Sequence, residues 1–175
     1  MNKLGDLKKK PDGYELRLER VYNHSRAKVW DALTNPTKMS LWFTDVEWDF
    51  KPGGKITFIF QDEARTESYG HFVLIEAPRL LEFIWESEDD APSELARWEL
   101  FEEEPNKTRL VLTYSRLTED LAINVATGWH AVVDDLGDYL NGRREFDSFG
   151  AAESEGNTEI KAEYTKLFNQ LSKNQ

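Results

Sequence analysis

The residues able to do acid–base or metal chemistry are few in this chain: three histidines, His24, His71 and His130, and no cysteine at all. His71 falls in the alternation Tyr69, His71, Val73, and with Tyr114 it offers the only acid and base pairing worth weighing. A general base needs an aligned partner and a substrate within reach, and neither is written in the sequence, so a histidine hydrogen-bonded to a neighbour is the simpler reading. His130 and Asp134 stand four apart, close enough to meet on a helix. Two ligands do not hold a metal, the other histidines are distant, and no His-Glu-x-x-His occurs; the pair reads as a solvated helix face. Gly53-Gly54-Lys55 lacks the spacing and the hydroxyl of a phosphate loop. The acids from Asp134 onward put Tyr139 where a calcium loop needs glycine. There is neither a Gly-x-Ser-x-Gly elbow nor a dinucleotide fingerprint. The expectation is no catalytic residue, no metal and no cofactor.

What remains is an excess of rings. The segment WFTDVEWDFKPGGKITFIFQ, residues 42–61, gathers six aromatic side chains around a double glycine. Trp48, Phe58, Phe60, Tyr69, His71, Phe83, Trp85, Trp98, Leu112, Tyr114, Trp129 and Val133 are the candidate lining of an apolar cavity, the tips of Tyr69, His71 or Tyr114 giving direction to a guest. The competing reading is that these rings fill a core by packing on one another, and residue types alone favour it.

These side chains need elements to position them. Residues 1–12 end in the turn signature Pro11-Asp12-Gly13 and read as a flexible arm. Tyr14, Leu16 and Leu18 alternate with charges as in a half-buried strand. Ser25 can cap a helix that stops at Asn35-Pro36, and Pro36 can open a second short helix carrying Met39, Trp42 and Phe43. Six strands follow, in an antiparallel meander, with the paired glycines at a hairpin. Val73, Leu110 and the candidates above form the expected inward set; a one-residue error of register would turn any strand's set outward. The acidic stretch 86–94 reads as a solvated loop. From 119 to about 141 the spacing changes to three and four, predicting one long amphipathic helix. Residues 142–157 read as a linker and 158–171 as a last helix, docked on its own domain or paired with a second copy.

With 175 residues the chain suits one domain, and Lys and Arg number 22 against 33 Asp and Glu, a formal net charge of −11. Such a surface repels phosphate backbones and anionic membranes, so nucleic acid is not an expected partner. No apolar run reaches the ~18 residues of a membrane span, and no apolar stretch follows the basic N-terminus as in a secretory signal. The expected location is the cytoplasm, as a monomer or homodimer.

In order, the segments RAKVWDALTNPTKMSLWF, KPGGKITF, GHFVLIEAPRLLEFIW, NKTRLVLTYSRL and GWHAVVDDLGDYLNG resemble the START-like superfamily called SRPBCC. Within it they are most similar to the group resembling the C-terminal domain of the activator of the 90-kDa heat-shock chaperone ATPase. The resemblance runs from about residue 14 to 142. It implies an α+β helix-grip fold: a curved antiparallel sheet wrapped around a long C-terminal helix, with two short helices after the first strand. The domain is expected at 13–142, with 143–175 as an extension that shorter members lack. The resemblance also implies a small hydrophobic guest, lipid or polyketide-like, between sheet and helix. Its alternatives are stimulation of a chaperone ATPase, with a place in the stress response, or a cyclase or hydrolase activity.

Overall fold

The structure, a computed structural model, describes residues 3–87, 92–143 and 155–173. Eight strands form one antiparallel sheet in the order β1-β2-β8-β7-β6-β5-β4-β3. The chain lays down β1 (Asp6–Lys10) and β2 (Gly13–Tyr22), then crosses to the far edge through α1 (Arg26–Thr34) and α2 (Pro36–Trp42). It returns strand by strand through β3 (Asp45–Trp48), β4 (Lys55–Ile59), β5 (Glu67–Glu76), β6 (Leu80–Trp85), β7 (Glu94–Glu104) and β8 (Lys107–Leu117). The long helix α3 (Ala122–Leu140) lies on the concave face, and α4 (Glu155–Lys173) packs on α3 and β1.

Local chemistry sets the crossover. Ser25 caps α1 by accepting the Lys28 N–H, and Asn35 serves two helices at once, ending α1 and capping α2 through its side-chain oxygen, which accepts the Thr37 N–H at 3.1 Å. Asn35 is held extended, as the residue before a proline must be.

The sheet's inner face can be read row by row. One row runs Leu18, Leu112, Trp98, Leu81, Ile75 across β2, β8, β7, β6 and β5; the next runs Leu16, Tyr114, Ala96, Phe83, Phe72. Except for the half-buried Ile75 all of them are buried, and α3 covers them with Ala126, Trp129, Val133 and Leu136. The outer face carries charge instead: Arg97 holds both Glu82 and Glu99.

The double glycine has a definite task. Gly53 has φ +77, and a Cβ on Gly54 would lie 1.8 Å from the Asp49 carbonyl oxygen. The loop's backbone then pairs with β5, Gly53 N–H donating to Phe72 O at 2.8 Å and Phe72 N–H to Gly54 O at 2.9 Å. A side chain at residue 54 would close the turn to this approach.

Two expectations are corrected. Residues 6–10 are not a loose arm but a strand paired with β2, pinned by Leu7 at 3% exposure. On β5 the inward residues are Gly70 and Phe72, so Tyr69, His71 and Val73 do not face the helix; Tyr69 and Val73 are 48% and 44% exposed. A bulge between Phe72 and Leu74 restores the expected parity at Ile75, so one extra residue reverses the face for half the strand. The expected linker falls mostly in 144–154 and part of the acidic loop in 88–91, both outside the described residues.

Candidate functional site

Trp129, 4% exposed on the buried side of α3, is the centre of the aromatic cluster. Its ring lies 6.0 Å from Phe43, 6.1 Å from Trp85, 5.6 Å from Trp98 and 5.0 Å from Tyr114, the two tryptophans meeting it edge-on. Bulky rings in edge-on contact leave gaps that aliphatic chains must fill. Here the filling is incomplete. A cavity remains, ≈ 20 Å³ counted as space open to the centre of a water-sized body, which is room for about one water molecule.

Thirteen residues line it, all apolar. Leu33 comes from α1, Met39 and Trp42 from α2 and Phe43 from the residue that follows it; Trp48, Ile56, Phe58, Phe72, Leu81, Phe83 and Trp98 come from the sheet; Trp129 and Val132 come from α3. The cavity therefore sits where sheet, long helix and crossover helices meet. Trp42 has its own anchor, donating its indole N–H to the Ala32 carbonyl at 3.1 Å.

Of the residues singled out from sequence, Trp48, Phe58, Phe83, Trp98 and Trp129 are on this wall. Phe60 and Trp85 lie beside it: Trp85 stacks on Phe58 at 4.2 Å and 8°, its strand neighbour Gly70 contributing no side chain, and Phe60 is 6.3 Å from Trp85. Leu112, Tyr114 and Val133 are buried on the same side of the sheet but do not border the cavity. Tyr69 and His71 are on the other face. His71 meets Glu86 at 2.9 Å near the surface, so it and Tyr114 stand on opposite sides of the sheet and cannot act as acid and base on one substrate. Leu33, Met39, Trp42, Phe43, Ile56, Phe72, Leu81 and Val132 were missed; the spacing of Met39, Trp42 and Phe43 shows a helix, but only the crossover places that helix at the mouth of the sheet.

One polar chain borders the cluster. The Tyr114 hydroxyl, on a ring whose centroid is 5.0 Å from that of Trp129, donates to the Glu94 carboxylate. Burial raises the Glu94 pKa above the ordinary carboxylate value, the Tyr114 hydrogen bond offsetting part of the effect. Burial first, and then the Glu94 charge, push the Tyr114 hydroxyl well above its usual range.

A second polar cluster lies between α3 and α4, and it corrects the reading of His130 as solvated. His130 is fully buried. Its Nε2 is 3.3 Å from Asp134 Oδ2 and 3.1 Å from Arg20 Nη2, and Arg20 Nε donates to Asp134 Oδ1 at 2.7 Å. Its Nδ1 meets the Tyr164 hydroxyl at 3.1 Å, and Gly5 N–H donates to that hydroxyl at 2.9 Å. Tyr164 is pushed up to about 12, mostly by burial. Among the described residues no group of three or more His, Cys, Asp or Glu is placed to hold a metal ion. This cluster ties β1, β2, α3 and α4 together.

A curved antiparallel sheet gripping a long C-terminal helix, with a ring-lined gap between them, defines a helix-grip protein. Residues 23–141 match the family of activator of Hsp90 ATPase homolog 1-like proteins, and the chain belongs to that family. Among curated proteins no sequence matches. Among solved structures, CalU16 from Micromonospora echinospora is similar at 22% identity and TM-score 0.72, covering 97% of this chain and 96% of that one. EF2215 from Enterococcus faecalis, a conserved protein of unknown function, is similar at 19% identity and TM-score 0.74, covering 95% and 91%. DynU16, a protein of the dynemicin biosynthetic locus, is similar at 21% identity and TM-score 0.65 over 73% of this chain and 47% of that one. At these identities the likeness is one of fold. Among the described residues no helix is long and apolar enough to cross a membrane.

Proposed function

We propose that this protein binds a small, largely apolar molecule between the sheet and α3, in a cavity that closes on its own rings when empty and opens when a guest enters. The observation that carries this reading is the cavity wall: thirteen apolar residues from three layers converge on a gap that they do not fill. Drug-sized guests need a few hundred Å³, so binding requires the wall to move. The part best suited to move is α2, a seven-residue helix that brings Met39 and Trp42 to the wall, with Phe43 directly after it. Affinity then comes from apolar burial, at ~25 cal/mol per Å² covered, less the cost of opening. The fold is shared with CalU16 and with DynU16, a protein of a biosynthetic locus, and a helix-grip fold suits a small-molecule guest; the lipid or polyketide kind is what the family resemblance implies.

Native mass spectrometry of the freshly purified protein tests this. A retained small molecule is the expected result. Unliganded protein that also ignores a panel of lipids and aromatic polyketides would exclude the reading.

A second reading is favoured by family membership over residues 23–141: stimulation of a chaperone ATPase through the outer surfaces. ATP turnover of a bacterial 90-kDa chaperone with and without the protein decides it, an unchanged rate removing this alternative.

A further inference from the structure

Most inward or half-buried carboxylates here have a cation. Glu82 and Glu99 share Arg97, and Asp134 has Arg20. Glu94 differs. It lies on the concave face, in step with Ala96 and Trp98, opposite Trp85 on β6. It is half-buried, and among the described residues no Lys, Arg or His reaches it. Its one hydrogen bond comes from the Tyr114 hydroxyl, to Oε2. A carboxylate has room for about four such bonds, so Oε1 is left open. Around it stand Trp85, Tyr114 and Trp129, the latter two with ring centroids 5.0 Å apart and the two tryptophans edge-on at 85°.

We propose that Glu94, with the rings of Trp85, Tyr114 and Trp129, is a subsite for the cationic head of a guest, so that the preferred ligand is an apolar body carrying a protonated amine. The chemistry is direct. An ammonium N–H donates to Oε1 as a charge-assisted hydrogen bond, and ring faces attract the same cation through their quadrupoles. Tyr114, packed against the Trp129 ring, fixes the carboxylate from the other side. Burial, which holds the Glu94 pKa up in the empty protein, is offset once a cation arrives. The inference rests on the proposed function for the apolar body, and adds the head group.

The test uses two isosteric probes, 1-naphthylmethylamine and 1-naphthylmethanol, titrated into the full chain by isothermal calorimetry at pH 7. The amine is expected to bind about tenfold more tightly than the alcohol, as one charge-assisted contact with ring faces would give. Glu94→Gln, which keeps an acceptor for Tyr114, is expected to erase that preference. Equal affinities in the wild type overturn the inference without any variant being needed. A preference that survives in Glu94→Gln also overturns it, since it would come from the general charge of −11. Binding of the alcohol with no amine preference removes only this subsite; binding of neither probe removes it together with the cavity reading.

Discussion

Tyr164 of α4 and His130 of α3 meet at 3.1 Å in the interior, both fully shielded from solvent. Through this contact the C-terminal helix joins the domain, since the same hydroxyl also receives the Gly5 N–H of the chain just before β1. Phe168 adds to the attachment, its ring 5.1 Å from Tyr14 on β2. Removing the hydroxyl in Tyr164→Phe leaves a buried N–H and an imidazole nitrogen without their partner, at a cost of about 1–3 kcal/mol. Urea unfolding should show a lower midpoint with an unchanged slope. An unchanged midpoint would mean that this hydroxyl adds nothing to the attachment of α4.

The same cluster contains the partly buried pair Arg20–Asp134, the side chains 9% and 25% exposed. Arg20→Met takes the guanidinium away from both Asp134 and His130. Breaking one side of such a pair costs about 3–5 kcal/mol, so Arg20→Met should be more damaging than Tyr164→Phe. Thermal melts of the two variants side by side check this order.

The hairpin glycines should respond oppositely to substitution. Gly53 has a positive φ and nothing within 4 Å of a would-be Cβ, so Gly53→Asn should cost well under about 1 kcal/mol, asparagine tolerating that region. Gly54→Ala drives a methyl group onto the Asp49 carbonyl and should break the pairing with Phe72. Amide hydrogen exchange at Phe72 reports it: protected in Gly53→Asn, fast in Gly54→Ala.

Glu94 predicts a pH dependence whose sign follows from burial. Its pKa is raised above the ordinary 4.5 by desolvation. Between that value and the raised one the folded protein binds more protons than the unfolded chain, so this residue's contribution falls as pH rises. Glu94→Gln has no proton to lose. The Tm of Glu94→Gln minus that of the wild type should therefore grow as pH rises from 4 to 7, and a difference that stays constant would place Glu94 in a solvated setting.

The layer order was legible because periodicity is a local property. Ala96, Trp98 and Leu100 alternate with Arg97 and Glu99, and Trp129, Val132 and Leu136 recur at three and four, so strands and long helix could be placed from the residues themselves. The family resemblance supplied how they wrap. Tyr69 and His71 were misplaced because a bulge two residues on reverses the parity of β5, and a bulge leaves no mark in composition. His130 was misread for a different reason. Its polarity suggested water, whereas its partners Arg20 and Tyr164 are 110 and 34 residues away, and such pairing is set only by the fold. Met39 and Phe43 were recognised as apolar but not as cavity wall, since that depends on where the crossover lands.

The central claim, that an apolar guest enters between sheet and α3, is tested most directly by the indole N–H signals of the six tryptophans in a proton–nitrogen NMR titration with 1-naphthylmethanol. Trp42, Trp48, Trp98 and Trp129 line the cavity and Trp30 does not. The account predicts that these four signals shift together and saturate while Trp30 stays fixed. Signals that all remain in place, or a shift confined to Trp30, would contradict it.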